Sequence, residues 1–565
     1  MTVSSTATPL TEIEAAVAQL RVTFGTNKTK AISWRKQQLR QLYAFIRDQY
    51  PLIEAALKKD LNRNPADTQL ELVILLNEVA DAIEHLEEWM KPTASAPTLL
   101  TFLDTAVTRR EPLGVVCIIA PFNFPVQLLL GPLIAAIAAG NCVVLKPSEM
   151  ATASEALLIE WLPKILDMDA FRIIVGGVKE TTRLLEVKLD HIFYTGSTSV
   201  GKIVMAAAAK QLTPVVLELG GKSPVYIHKD VDIEVAARRM CWAKTMNCGQ
   251  VCIAPDYVMV HQDIVAPFAA ALRKVLLEFY TEDAKKSTEY PRMINQAHTK
   301  RLVNVLDRQL ALKHSELVIG GDHDVSDRYI APTVVSNVKV SDPLMEDEIF
   351  GPLIGILSVT GEDEAIEIIQ SRDRPLALYV SAKDTRVVNK ILDNTISGVS
   401  VVNDYVFNMV LGDMPFGGVG SSGMGAYHGH SGFLAFTHQR GMVWRGTDFL
   451  TETVHKFMYP PFASSPFALF VSRVAVVKPL PSEFGLLLRK VVKRVAPILG
   501  QFALLAVAFY VGRSFQAGAG VASKSTPVLG SAFAGKVFQI VSNATESVLR
   551  SGSFVGLMDL VRGKK

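Results

Sequence analysis

Between Glu111 and Val399 the chain alternates short apolar runs with longer helical stretches, and this alternation constrains its fold more than any other feature. The runs GVVCIIA (114–120), NCVVLK (141–146), FRIIVGG (171–177) and HIFYTG (191–196) have the length of buried strands, and segments such as Gln127–Ala139 have the length of helices. Strands covered on both faces read as continuous apolar runs joined by crossovers, so the pattern predicts a parallel sheet with helices on its faces. A second α/β stretch runs from about Glu218 to Val399. Upstream, Thr11 with Glu14 three residues later reads as a capping box. Ile13, Val17, Leu20 and Phe24 then recur at helical spacing, a character kept to about Met90. PFGGVGSSGMG (415–425) holds five glycines in eleven residues and reads as loop.

The composition, 49% hydrophobic and 20% charged, gives a sizeable core and excludes a predominantly disordered chain. Five cysteines in 565 residues are too few for a disulfide scaffold and suit a reducing compartment. The net charge of +3 conceals an asymmetry: from Pro466 onward there are 13 basic and 3 acidic residues, leaving 45 basic and 52 acidic before it. A slightly acidic body is no nucleic-acid binder by charge, and a basic, apolar tail points to a membrane. Residues 495–512 (VAPILGQFALLAVAFYVG) carry no charge and stand between Arg489, Lys490, Lys493 and Arg494 on one side and Arg513 on the other. As a helix they span about 27 Å, close to the hydrocarbon core of a bilayer, and the upstream basic cluster keeps the body cytosolic. Residues 466–477 read as an interfacial or surface-packing helix rather than a span, and the polar N-terminus does not read as a secretory signal.

Three residues have the setting that carbonyl chemistry needs. Cys252 in NCGQVCIAP lies among turn residues that can present a thiol nucleophile, whereas Cys248 reads as a small buried hydrophobe. No further Cys/His set joins this Cys-x3-Cys pair, so no metal is expected. Glu218 in LELGGKSP ends an apolar run where burial raises a carboxyl towards a general base's range; the alternative is a salt bridge with Lys222. Asn123 in APFNFP follows a strand, where its amide can reach a crevice, or it can simply form a turn. Lys146 and Glu149 in KPSE also follow a strand. TGSTSVG, with Gly196, Ser197 and Gly201, leads into a helix whose N-terminus suits a pyrophosphate.

APFNFP, LKPSE, FYTGSTSVG, LELGGKSP, NCGQVC, EDEIFGP (346–352) and PFGGVGSSGMGAYHG (415–429) occur in an order and at separations that resemble the aldehyde dehydrogenase superfamily over about 10–445. The last of these and NCGQVCIAPDYV look most like the class 3 branch, which includes fatty aldehyde dehydrogenases. The resemblance implies an α/β fold: a Rossmann-like dinucleotide-binding domain with N-terminal helices (1–217), a catalytic domain (218–399), a return with a small β oligomerisation arm (400–445), and a tail with the anchor (446–565).

It also implies an NAD(P)-dependent enzyme, NAD first and NADP possible, in which Cys252 attacks the aldehyde. Asn123 and the Cys252 N–H hold the oxyanion, and Glu218 activates water. Lys146 and Glu149 bind the adenosine ribose, Gly196, Ser197 and Gly201 the pyrophosphate, and Glu348 the nicotinamide ribose, with Phe350 beside it. Glu149 favours NAD. The expected substrate is a lipophilic, long-chain fatty aldehyde, with apocarotenal or aromatic aldehydes as the alternative. A homodimer is expected, anchored in the endoplasmic reticulum first, with the mitochondrial outer membrane or lipid droplets as alternatives.

Overall fold

The computed structural model describes residues 6–96, 101, 103–449, 451, 452, 459 and 460. The chain divides into two units, Met1–Gly446 and Thr447–Lys565, and every element below belongs to the first. The expected anchor at 495–512 and the apolar stretch 466–477 lie outside the described residues. Among the described residues no helix is long and apolar enough to cross a membrane.

Four helices, Leu10–Gly25, Ile32–Asp48, Tyr50–Leu61 and Pro65–Trp89, open the chain. The first starts before Thr11, with Pro9 at its N-cap and no side-chain cap. Thr11 therefore lies inside the first turn and forms no capping box, and Glu14 pairs with Arg183 at 2.6 Å instead. Ile13, Val17 and Leu20 are buried as their spacing requires. The longest helix is well terminated at its start: Asn64 Oδ1 accepts from Asp67 N at 2.8 Å and Pro65 occupies the first turn.

A six-stranded sheet follows in the order Gly423–Met424, Val215–Leu219, His191–Gly196, Val115–Ile119, Cys142–Lys146, Phe171–Ile173. All neighbours are parallel except the two-residue strand Gly423–Met424. Strand order reverses between Val115–Ile119 and His191–Gly196, the switch point beside which open α/β sheets bind ligands. The strand Val115–Ile119 is buried on both faces, which is why it reads as unbroken hydrophobics.

The second sheet has seven strands: Glu316–Ile319, Thr333–Ser336, Leu353–Val359, Tyr257–His261, Pro224–Ile227, Ala377–Ser381 and Val399–Val402, parallel except for the first. Strand Val215–Leu219 closes its part of the first sheet, and Pro224–Ile227 enters the second after four residues. A three-stranded antiparallel sheet joins Thr93–Ala94, Thr105–Pro112 and Thr437–Trp444, of which only the last strand falls within the stretch 400–445.

Candidate active site

Cys252 lies on the loop that follows helix Ile233–Thr245. Asn247 (φ 49°), Cys248 (φ 57°) and Gly249 (φ 69°) are three successive left-handed residues, and they turn the chain sharply back. Position 249 needs glycine twice over, because a Cβ there would also run into the carbonyl of Gly351. That close approach brings the cysteine loop to the backbone just beyond Glu348 and Phe350. Cys252 is half-buried, whereas Cys117, Cys142, Cys241 and Cys248 are buried. Burial pushes its thiol up to about 12, with further contributions from the Glu348 and Glu218 carboxylates; the N–H groups of Cys252 and Ile253 act the other way.

Glu218 is 3% exposed, and neither carboxylate oxygen has a hydrogen-bond partner among the described residues. Burial alone holds its pKa well above the ordinary range. The salt bridge with Lys222 does not form. Lys222 Nζ pairs with Asp256 and donates to the carbonyls of Leu344 and Asp347, each at 2.8 Å. Asp256 Oδ2 in turn accepts from Ile349 N at 2.8 Å, so this ion pair fixes the segment that carries Glu348. Glu348 extends to Gly220, where any side chain would strike its carboxylate, and receives the Gly221 N–H. Burial, then the charge of Asp256, raises its pKa to about 8. Glu348, expected at a ribose, thus lies against the backbone two residues past Glu218 and near enough to Cys252 to act on its thiol.

Asn123 is buried after strand Val115–Ile119, and its Nδ2 donates to the Gln250 carbonyl at 3.0 Å. One of its two N–H bonds is thereby used and the second is left over. Asn247 Nδ2 donates to the carbonyls of Asn123 (2.9 Å) and Gln250 (3.1 Å), and Asn247 N to Asp67 Oδ2 (3.0 Å). Arg63 Nη2 donates to the Asn123 carbonyl and, at 2.9 Å, to Asn247 Oδ1, while Nη1 pairs with Glu71. Sequence reasoning missed Arg63, Asp67, Glu71, Asn247 and Gln250. The available signal was the run of charges Asp60, Arg63, Asp67, Glu71 and Glu78 at helical spacing, all of them buried.

The first sheet's carboxyl edge carries the other expected residues. Lys146 Nζ donates to Pro147 O (2.7 Å) and Glu149 Oε2 (3.1 Å), and the Glu149 side chain is 46% exposed. Gly196 ends its strand under the Tyr194 hydroxyl, which leaves no room there for a side chain. Ser197 caps helix Thr198–Ala209. Gly201 lies within that helix rather than in the preceding loop: a Cβ would stand 2.6 Å from Leu219 Cδ2, so glycine lets the helix approach the strand of Glu218. Phe350 (φ 48°) meets Phe122 edge-on at 5.8 Å, and Phe122 meets His298 at 5.0 Å.

The sequence matches the profile of the aldehyde dehydrogenase family over residues 3–442. The chain belongs to that family. It is 43% identical over 452 residues to aldehyde dehydrogenase family 3 member B1 of Rattus norvegicus, covering 80% of this chain and 95% of that protein. Aldehyde dehydrogenase family 3 member A2 of Mus musculus is 42% identical over 454 residues, 80% of this chain and 92% of its own. A dimeric, NADP-preferring aldehyde dehydrogenase of Rattus norvegicus is 43% identical, over 80% and 98%. Among solved structures, a substrate-bound Staphylococcus aureus AldH superposes with a TM-score of 0.75 at 38% identity, covering 77% of this chain and 95% of that one. This aldehyde dehydrogenase uses NAD or NADP to oxidise an aldehyde.

Proposed function

We propose that this aldehyde dehydrogenase oxidises lipophilic, long-chain aldehydes to carboxylic acids through a covalent intermediate on Cys252. The observation that carries the assignment is Glu218, a buried carboxylate without a partner among the described residues, close enough to Cys252 to raise its thiol. The Cys252 thiol gives its proton to solvent as Sγ adds to the aldehyde carbon, and the Asn123 side-chain N–H and the Cys252 N–H hold the oxyanion of the thiohemiacetal. Each such donor is typically worth about 3–4 kcal/mol. Bound NAD(P) supplies the hydride acceptor that turns this adduct into a thioester. Glu218 then takes a proton from water, whose oxygen attacks the thioester carbon and frees the acid and the thiol. Elevated basicity suits that role, because a weakly basic carboxylate makes a poor proton acceptor near neutral pH.

The residues present fit the cofactor. Lys146 has three N–H bonds and uses two, leaving one for a ribose hydroxyl beside the Glu149 carboxylate. The first turn of helix Thr198–Ala209, with Ser197 and Gly196 before it, offers backbone N–H groups to a pyrophosphate. Glu348 would turn to the nicotinamide ribose, with Phe350 alongside. A carboxylate at Glu149 disfavours a 2′-phosphate, which supports NAD over NADP.

The long-chain reading rests on the uncharged stretch 495–512 and its basic flanks, which would hold the enzyme where lipophilic aldehydes partition. We assign the body to the cytosolic face of the endoplasmic reticulum. A glycan at the sequon Asn543-Ala544-Thr545 would support a single span there. A homodimer is supported by the exposed Val443 (61%) and Trp444 (70%) on strand Thr437–Trp444. The deciding experiment is NAD(P)H formation by full-length protein with short aliphatic, hexadecenal, aromatic and apocarotenal aldehydes. Preference for hexadecenal supports the reading, and turnover confined to aromatic or polyene aldehydes replaces the substrate while keeping the mechanism.

A further inference from the structure

We infer that Arg63 is a positioning residue for the oxyanion site, acting through Asn123. This rests on the reading of Asn123 as an oxyanion donor. Arg63 is 1% exposed and has its guanidinium among four partners drawn from three parts of the chain. Nη1 pairs with Glu71, Nη2 donates to the Asn123 carbonyl and to Asn247 Oδ1 at 2.9 Å, and Nε reaches the same Oδ1 at 3.3 Å. Its plane lies over the Phe124 ring at 4.7 Å. A planar fork with fixed donor directions sets the relative positions of its acceptors in a way a single ammonium cannot.

The partners are the ones whose placement decides the chemistry. The Asn123 main chain is held by Arg63 and by Asn247 Nδ2 at 2.9 Å, and its side chain by the Gln250 carbonyl at 3.0 Å. Gln250, two residues before Cys252, is clamped by Asn247 O (3.0 Å), Arg292 O (3.1 Å) and Ile294 N (2.9 Å). Glu71 carries the same clamp onward: its second oxygen accepts from Gln127 N at 2.8 Å, which fixes the helix start four residues past Asn123. Arg63 is therefore the cross-link between the loop that presents the amide donor and the loop that presents the thiol, made by a group that touches neither the substrate nor Cys252.

Arg63→Lys keeps a charge for Glu71 and removes the fork. A misplacement of an ångström at a reacting centre is worth about 10²-fold in rate. Arg63→Lys is accordingly expected to lower kcat by roughly ten- to a hundredfold, with the KM for aldehyde and the affinity for NAD within about twofold of wild type. A residue that merely stabilised the fold would not distinguish these quantities.

The test is a double-mutant cycle with Asn123→Ala, read by kcat, by NAD binding from tryptophan fluorescence and by thermal melting. If Arg63 acts through Asn123, Arg63→Lys costs little further kcat in the Asn123→Ala background. An equal fold-loss in both backgrounds overturns the inference, and so does wild-type kcat in the Arg63→Lys single mutant. Should Arg63→Lys fail to fold, Glu71→Gln, which removes the ion pair that orients the Arg63 guanidinium, takes its place in the cycle under the same criteria. Asn123→Ala at wild-type rate would instead sink the oxyanion assignment itself, so the two failures are distinguishable.

Discussion

The ammonium of Lys222 is held by Asp256, and that pairing leaves Glu218, four residues earlier, without a counter-ion among the described residues in a buried site. A sequence with glutamate and lysine so close invites the opposite pairing. The turn at Gly220–Gly221 instead sends Lys222 towards the second sheet, and burial holds the pKa of Glu218 well above the ordinary carboxylate range.

Glu218→Gln should therefore trap the acyl-enzyme. Loss of a general base typically costs roughly 10²–10⁴-fold. We expect a first-turnover burst of NADH, a steady rate reduced on that scale, and the substrate's acyl mass on Cys252 by intact-protein mass spectrometry. A variant without the burst would place Glu218 before thioester formation.

Cys252→Ala should abolish turnover and leave NAD binding intact, measured by fluorescence titration. In the wild-type enzyme without cofactor, Cys252 should be the thiol that iodoacetamide reaches, since the other four are buried. Because its pKa is raised to about 12 by burial and then by Glu348 and Glu218, the thiolate is scarce at pH 7. Alkylation should accelerate about tenfold per pH unit between about pH 7 and 10, without a plateau. A plateau near pH 8 would show a thiol activated in the resting enzyme.

Glu348→Gln tests the charge balance of the crevice. The folded-state pKa of about 8 lies above the unfolded value, so folding takes up a proton and wild-type stability falls as pH rises from the ordinary glutamate range to about 8. The neutral variant escapes that loss. Its melting temperature should exceed that of wild type by a margin that widens up to about pH 8 and is then constant. A margin independent of pH would mean that the carboxylate is solvated.

Gly249→Ala should destabilise the protein by about 1–3 kcal/mol, seen in thermal or urea unfolding, because it combines positive φ with a clash against the Gly351 carbonyl. Activity should fall further than stability, since the displaced backbone carries Cys252 on one side and Glu348 on the other.

Much of this site was legible because its residues sit in short local motifs at strand ends: Asn123, Lys146, Gly196 and Glu218 all follow or end strands of the first sheet. What was not legible was whatever depends on distant pairing. Arg63 and Glu71 lie in the helical N-terminal stretch, and only the fold shows that Arg63 meets Asn247, 184 positions away, beside Asn123, while Glu71 holds Arg63 and the Gln127 N–H. The packing role of Gly201 was equally hidden: it lies in the first turn of helix Thr198–Ala209, and Leu219 across from it explains the missing side chain. Thr11 was misread because Pro9 starts its helix earlier.

The division of the reactive groups between two sheets has a practical side. Asn123 and Glu218 belong to the six-stranded half, Cys252 and Glu348 to the seven-stranded half, and neither half holds a working set. Turnover thus reports that the halves have docked. A chain cut between Gly220 and Ser223 and supplied as two fragments, the second returning strand Gly423–Met424 to the first sheet, would be a reconstitution assay whose signal is the enzyme's own product.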